Sequence, residues 1–253
     1  MAKLTILGSG TSTGVPTIGC TCKVCKSTDS KDQRLRTSAL YQEGDIRVLF
    51  DCGPDFRAQV LPLPFTPLNA VLITHEHYDH VGGLDDLRSF SSFGELPVYA
   101  EEYTAKRLME RMPYCFVDKS YPGIPQLRLK GITAFNPFHI GGVQVVPIRV
   151  FHGNLPILGY RIGGLAYITD MLTAPDDTIQ ELQNIEVLVV NALRPESHRT
   201  HQNIEQALQF ARAVKAKRTY LVHMSHDIGY HIDAQRKLPE NIYFAYDGLE
   251  IKI

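Results

Sequence analysis

The sequence predicts an α/β fold of the α+β kind, with two mixed β-sheets packed face to face and helices outside. Three observations predict it. Strand-like runs come first as hairpins, then mix with helical runs, and this order repeats in the second half of the chain. Several of these strand-like runs stop at a His or an Asp. No repeat, low-complexity tract or inter-domain linker interrupts the 253 residues, so residues 1–253 read as a single domain with room for a sizeable core.

Residues 3–7 form the first expected strand, followed by Gly8-Ser9-Gly10-Thr11-Ser12-Thr13-Gly14. This loop has neither dinucleotide-binding spacing nor a P-loop Lys. It reads as a weak phosphate-loop signal or, more simply, as a tight turn leading to the cysteines beyond it. Strands at 38–42 and 46–51 flank the hairpin signal Glu43-Gly44-Asp45. A Pro-rich loop at 62–67 leads to a strand at 70–73. Residues 84–93 read as a helix, 97–100 as a short strand and 101–112 as a helix. The stretch 113–137, rich in Pro, Gly and aromatics, is either a lid over a site or a surface connection containing a hairpin. A strand at 143–151 ends at His152. Strands at 159–162 and 165–169 pair across Gly163-Gly164 and end at Asp170. Residues 177–183 form a short helix, 187–191 a buried strand, and 202–214 an amphipathic helix with Ile204, Ala207, Leu208 and Ala211 on one face. A strand at 218–222 ends at His223, and strands near 243–245 and 250–253 close the chain.

The formal net charge of −1 offers no global basic field, so general nucleic-acid binding is not expected, and a local basic patch is left open. No apolar run approaches the roughly 20 residues that span a bilayer. The start of the chain has no signal-peptide core, so a cytoplasmic protein without membrane partners is expected. A homodimer is left open. Of five Cys, three crowd into Cys20-Thr21-Cys22-Lys23-Val24-Cys25. In a reducing compartment that is a metal pattern rather than a disulfide framework, and three thiolates want a fourth ligand to close a tetrahedral site. Cys52 and Cys115 read as small apolar residues.

The chemistry concentrates in Thr74-His75-Glu76-His77-Tyr78-Asp79-His80, directly after a strand. The H-x-H-x-D-H spacing puts His75 and His77 on one side of the strand end. Asp79 and His80 come from the next turn, so two ligand sets can face two neighbouring metal ions. Imidazole and carboxylate donors suit Zn²⁺ and also Mn²⁺ or Fe. His152, Asp170 and His223 add ligands from three other strand ends.

In these motifs and their order, including Asp51-x-Gly53 before them, the chain resembles the metallo-β-lactamase-fold hydrolases, which have an αββα sandwich. The resemblance implies one active-site divalent metal (Zn²⁺ or Mn²⁺) on His75, His77 and His152, and a second on Asp79, His80 and His223. Asp170 would bridge them, and Asp51 would orient the ligand loop from behind. It further implies hydrolysis by a water activated between the metals. The absence of a G-x-S-x-G elbow agrees with that. Within the superfamily, Gly8-Ser9-Gly10-Thr11 and the C-x-C-x-x-C run resemble the PhnP-like phosphodiesterases. This implies a structural Zn²⁺ on Cys20, Cys22, Cys25 and His226, bracing the loop that carries His223. It also singles out Asp79 and His201 for catalysis. His201, just before a helix, would bind the phosphoryl group or protonate the leaving alkoxide. The expected substrate is a small or cyclic phosphodiester. Rival readings are a thioester or lactone hydrolase of the same fold, or a non-hydrolytic pathway protein like that of pyrroloquinoline quinone biosynthesis. Relatives of that protein share the Cys run and Asp51-Cys52-Gly53-Pro54. The di-iron redox branch typically has Glu where His77 stands. His139, His198 and His231 are left as ordinary polar residues.

Overall fold

The computed structural model describes residues 2–116 and 123–253. The first half runs β1 (Lys3–Gly8), β2 (Ser38–Glu43), β3 (Ile46–Phe50), α1 (Phe56–Val60), β4 (Ala70–Leu72), α2 (Tyr78–Val81), β5 (Leu96–Glu101), α3 (Glu102–Arg111) and β6 (Leu127–Ile132). The second half runs β7 (Phe138–Ile140), β8 (Val143–His152), β9 (Leu155–Ile162), β10 (Leu165–Ile168), α4 (Asp176–Glu181), β11 (Val187–Asn191), α5 (Ile204–Ala213), β12 (Arg218–Val222), α6 (His231–Gln235), β13 (Ile242–Phe244) and β14 (Glu250–Lys252). Among the described residues these make two mixed sheets, ordered β14-β1-β2-β3-β4-β5-β6 and β13-β12-β11-β10-β9-β8-β7. The C-terminal strand β14 therefore returns to the edge of the first sheet.

The alternation of side chains along each strand explains the layering. Val48 and Phe50 of β3, Ala70 and Leu72 of β4, and Val187 and Val189 of β11 enter a core between the two sheets. There Phe50 stacks on Tyr167 at 4.5 Å between ring centroids. The intervening Leu49 and Val71 face a second cluster with Phe56 of α1 and Leu108 of α3. Leu188 and Val190 face a third with Ala207, Phe210 and Ala211 of α5. Both sheets are thus buried on both faces, which requires the near-continuous apolar runs seen at β4 and β11.

Strand direction places the site. β3–β4–β5–β6 pair in parallel, as do β10–β11–β12–β13. β1 and β8 each reach that common direction through two antiparallel pairings. Their carboxyl ends therefore lie along one edge, where open α/β sheets place their ligands. The sheets are joined there as well. Tyr160 Oη donates to the Ile73 carbonyl at 2.5 Å, and Leu158 N donates to the Thr74 carbonyl at 3.0 Å.

Two expectations change. Leu84–Phe93 is helical but forms 3₁₀ turns rather than an α-helix; Ser and Asp side chains in it compete for backbone groups. The described part of 113–137 contains no hairpin of its own. Leu127–Ile132 instead extends the first sheet in parallel with β5, and Cys115 is buried in the core. The remainder of the lid-or-connection question, residues 117–122, lies outside the described residues. The turn reading of the Gly8–Gly10 loop gains a physical reason. A Cβ on Gly8 would lie 2.0 Å from the Arg36 carbonyl oxygen, and one on Gly10 2.8 Å from that of Arg34. The loop then pairs with Met224: Thr11 N donates to the Met224 carbonyl and Met224 N to the Ser9 carbonyl, each at 3.0 Å. It is clamped beside His223.

Candidate metal centre

Three of the strand ends deliver a carboxylate or imidazole by bending sharply. Asp51, Asp170 and His223 all adopt the left-handed backbone region, with φ of 56°, 57° and 56°. For residues other than glycine that costs about 1–3 kcal/mol each and is concentrated at functional sites. The bend turns each side chain across the sheet edge instead of along the strand.

Asp51 is fully buried and organises the loop carrying the imidazoles. Its Oδ1 accepts from Thr74 N at 2.8 Å, and its Oδ2 accepts from His80 Nδ1 at 2.8 Å. The Thr74 hydroxyl donates to Asp51, and its oxygen lies 3.0 Å from His75 Nδ1. One carboxylate therefore fixes the proton on Nδ1 of both His75 and His80 and turns Nε2 of each toward the site; against burial, the carboxylates of Asp170, Asp79 and Asp51 hold the His80 imidazole well above the usual histidine range, so a cation there would take the place of its Nε2 proton. His152 is fixed similarly: its Nδ1 donates to the carbonyls of Asp170 (2.9 Å) and Thr200 (3.0 Å). The backbone holds the loop in place. Cys52 N donates to the His80 carbonyl at 2.7 Å and Gly83 N to the Cys52 carbonyl at 2.8 Å. Gly53 is needed because a Cβ there would lie 2.1 Å from the Asp79 carbonyl oxygen.

The freed donor atoms converge. Asp79, His80, Asp170 and His223 each offer an atom within 4.8 Å of the others; so do His75, His77 and Asp170, and so do His152, Asp170 and His201. Asp170 belongs to all three sets, as a bridging carboxylate would. His75 Nε2 and His77 Nδ1 face each other at 3.0 Å. The His152 ring lies 5.7 Å from that of His75 and 5.2 Å from that of His77 between centroids. His80 Nε2 approaches Asp79 Oδ2 at 3.2 Å and Asp170 Oδ1 at 3.3 Å; His223 Nε2 approaches Asp170 Oδ1 at 3.3 Å.

The chemistry of this donor set fits divalent cations. Among the described residues, His80 Nε2, His201 Nδ1 and both ring nitrogens of His223 are buried without a hydrogen-bond partner. A buried polar atom left so costs about 1–3 kcal/mol, which a cation would offset. Burial pushes the imidazoles of His75 and His77 below the usual histidine range, so both are neutral, as ligands must be. Burial opposes charge on Asp170 and Asp79 too. The histidines around them outweigh it and hold both carboxyls below their usual range.

The second cluster lies on the far side of the Gly8–Thr11 loop. His226 Nδ1 faces three sulfurs at once: Cys25 at 3.1 Å, Cys20 at 3.4 Å and Cys22 at 3.6 Å. His226 Nε2 lies 3.4 Å from Asp227 Oδ1, which orients the ring from behind. One imidazole nitrogen cannot hydrogen-bond three thiols, whereas a tetrahedral cation accommodates all four donors. The Cys25 N–H lowers the Cys22 thiol to about 7, while burial raises Cys25 to about 11. Cys25 therefore needs a positive charge beside it to ionise at neutral pH. The buried guanidinium of Arg34, whose charge interacts with Cys25, adds to that field.

The remaining sequence expectations place as follows. His201 is buried, 4.5 Å from the His152 ring and 4.8 Å from the His223 ring between centroids. Burial, with His223 beside it, lowers its pKa to about 3, so it is a neutral imidazole. His198 had been left as an ordinary polar residue, yet it stacks on His201 at 5.1 Å. Nothing in periodicity marks it, because it sits in an irregular loop; only its place three residues before His201 hinted at it. His139 is exposed on β7, and His231 is buried away from the site beside Asp32. Cys52 and Cys115 are buried in the apolar layer under the first sheet.

A family model, "Beta-lactamase superfamily domain", matches residues 46–224. The chain belongs to the beta-lactamase superfamily. Its similarity to known members is uneven. It is 39% identical to a solved structure of "a New Diphosphatase from the PhnP Family", covering 99% of this chain and 96% of that one with a TM-score of 0.92. It is 45% identical over 247 residues to a protein named Octanoyltransferase from Porphyromonas gingivalis, covering 97% of this chain but half of that relative. It is 36% identical over 102 residues to Coenzyme PQQ synthesis protein B of Methylobacterium nodulans, about a third of each. The chain thus spans half or less of these two curated relatives. As a superfamily member it has the sandwich fold, and its described residues include candidate metal-binding groups. No helix among the described residues is long and apolar enough to cross a membrane.

Proposed function

We propose that the protein is a metal-dependent phosphodiesterase acting on a small or cyclic phosphodiester. The observation that carries the reading is the imidazole–carboxylate edge centred on Asp170, with the neutral imidazole of His201 beside it. His75, His77 and His152 would hold one divalent metal and Asp79, His80 and His223 the other, with Asp170 between them; either Zn²⁺ or Mn²⁺ suits these donors. When bound, such a pair supplies Lewis acidity toward the phosphoryl oxygens and acidifies a water toward a pKa of about 7.

The protein's own groups do the rest. Asp51 and Thr74 lock the tautomers of His75 and His80, so the donors need no reorganisation. His201 carries one N–H as a neutral imidazole and donates it to the substrate phosphoryl group. The approach of that anion raises the proton affinity of the ring, so that it takes up a proton from solvent and, as imidazolium, passes it to the leaving alkoxide and returns to the neutral form. Cys20, Cys22, Cys25 and His226 would hold a structural Zn²⁺ that braces the segment carrying His223. The 39% identity to a PhnP-family diphosphatase supports phosphoric ester chemistry. A second reading, hydrolysis of an acyl thioester, rests on the 45% identity to the relative named Octanoyltransferase. The chain covers only half of that relative, and its name describes the whole protein. Turnover of bis(p-nitrophenyl) phosphate set against an octanoyl thioester separates the two. Cleavage of the thioester alone would overturn the proposal.

A further inference from the structure

The Pro-rich loop at 62–67 has no part in the metal edge. It lies between α1 and β4, in Leu61-Pro62-Leu63-Pro64-Phe65-Thr66-Pro67, and its prolines restrict the backbone. Its end is clipped to Arg47 of β3. Arg47 Nη1 donates to the Thr66 carbonyl at 2.8 Å, to the Pro67 carbonyl at 3.4 Å and to the Thr66 hydroxyl. Arg47 N donates to Asn69 Oδ1 at 2.7 Å, and Asn69 N to the Arg47 carbonyl at 2.8 Å. Between this loop, α1 and the Leu84–Phe93 segment lies a cavity. Its outer chamber, about 360 Å³, is walled by Phe56, Val60, Leu61, Leu63, Phe65 and Phe90. That volume is at the lower end of the range for small-ligand pockets, about 300–1,000 Å³. A narrower inner chamber shares Phe56, Val60 and Phe90 with it and ends on Leu40, Leu49 and Arg47. At the mouth, Phe65 lies 5.1 Å from the Phe90 ring and 4.9 Å from the Phe93 ring, between centroids. Phe65 is 58% exposed and Leu61 64%, so the chamber opens through an apolar rim.

The inner end sets the chemistry of the cavity. Alternation along β3 turns Arg47 to the same side as Leu49, into the apolar layer beneath the first sheet. Arg47 is only 9% exposed. Its Nη1 is taken up by the loop, but its Nε is buried without a hydrogen-bond partner. Among the described residues no carboxylate pairs with it, and nothing binds its Nε–Nη2 edge. That edge is the fork with which a guanidinium holds a carboxylate through two parallel N–H bonds. A buried cation without a counter-ion is costly, and an incoming anion relieves the cost. At the mouth Arg57 and Asp86 offset each other, so the inner cation sets the sign of the ligand. An apolar chamber leading to one buried guanidinium fits a molecule with an apolar tail and a single anionic head. The place is distinct from the metal edge: Arg47 stands four residues before Asp51 along the strand direction, about 13 Å at 3.3 Å per residue.

We infer that this cavity is a binding site for a medium-chain carboxylate, with the head on the Nε–Nη2 edge of Arg47 and the tail among Val60, Phe65 and Phe90. The site does not depend on what the metal edge hydrolyses. The probe is decanoate, titrated by calorimetry into the metal-loaded protein, with decan-1-ol as the uncharged control. Decanoate should bind once per chain and at least tenfold more tightly than decanol. Arg47→Met keeps an unbranched side chain and removes the charge; it should abolish that preference. Phe65→Asp, at the exposed mouth, should weaken both ligands at least threefold. Metal content per chain should be unchanged in both variants. If Arg47→Met does not fold, Phe65→Asp and the decanol comparison still decide. Excess inorganic phosphate should leave decanoate binding unchanged; displacement would put the carboxylate on the metals and overturn the site. So would the absence of saturable decanoate binding, equal affinity for decanol, or binding that survives both substitutions. A concentration-dependent dimer lost in Phe65→Asp, with no decanoate bound, would make the mouth an interface between copies and overturn the site as well.

Discussion

Replacing Gly53 with Ala tests whether backbone packing, rather than ligand identity alone, sets the metal edge. A Cβ at Gly53 would sit 2.1 Å from the carbonyl oxygen of Asp79, and ordinary contact begins at 3.4 Å, so the two segments must part by about 1.3 Å. Neither can yield easily. Cys52 is bonded to His80 and Gly83 to Cys52, and the Gly53 carbonyl itself lies 2.1 Å from where a Gly83 Cβ would stand. A misplacement of about 1 Å at a catalytic group costs about 10²-fold in rate. Overpacking costs about 1–3 kcal/mol of stability, roughly 2–12 °C in Tm for a chain of this size. Gly131→Ala is the matched control, because its Cβ meets nothing within 4 Å and its φ is not positive. The assays are kcat on bis(p-nitrophenyl) phosphate, metal per chain and thermal unfolding. Wild-type values for Gly53→Ala in all three would refute the packing argument.

Three further outcomes are expected. Cys25→Ala should remove close to one metal equivalent and lower Tm; unchanged metal content and melting would rule out the thiolate site. His201→Ala should lower kcat by about 10²–10⁴-fold with full metal content; loss of a metal along with activity would make His201 a ligand instead. Burial raises the Asp247 carboxyl from 3.8 to about 6, although it accepts from Ser9 N, Ser9 Oγ and Leu35 N. The folded protein therefore binds this proton more tightly than the unfolded chain. Stability from this group is fullest below pH 3.8 and falls as pH rises through 6, by roughly 3 kcal/mol in all. Asp247→Asn should gain on wild type by about that amount between pH 4 and pH 7, read from paired unfolding curves; a constant gap would contradict it.

The sandwich was legible because its strands are apolar on both faces and stop at polar residues. The 70–73 and 187–191 runs are short and nearly all apolar, and 218–222 ends in Leu221-Val222 directly before His223. β6 was not, because Arg128, Lys130 and Gly131 break the pattern of a strand that lies at the sheet edge. β7, α1 and α6 are too short to show a period. At the site, the residue types and their spacing pointed to His75–His80, His152, Asp170 and His223. What spacing cannot carry is the side-chain detail: the shared hold of Asp51 on two histidines, the approach of Gly53 to Asp79, and the stacking of His198 on His201. Each depends on contacts between segments distant in sequence or on an irregular loop.

The central claim is tested most directly by hydrolysis of bis(p-nitrophenyl) phosphate after chelation and after re-addition of Mn²⁺ or Zn²⁺. The account predicts that chelation abolishes turnover, that metal restores it, and that the corresponding monoester is cleaved poorly. Full metal occupancy with no cleavage of the diester would contradict it.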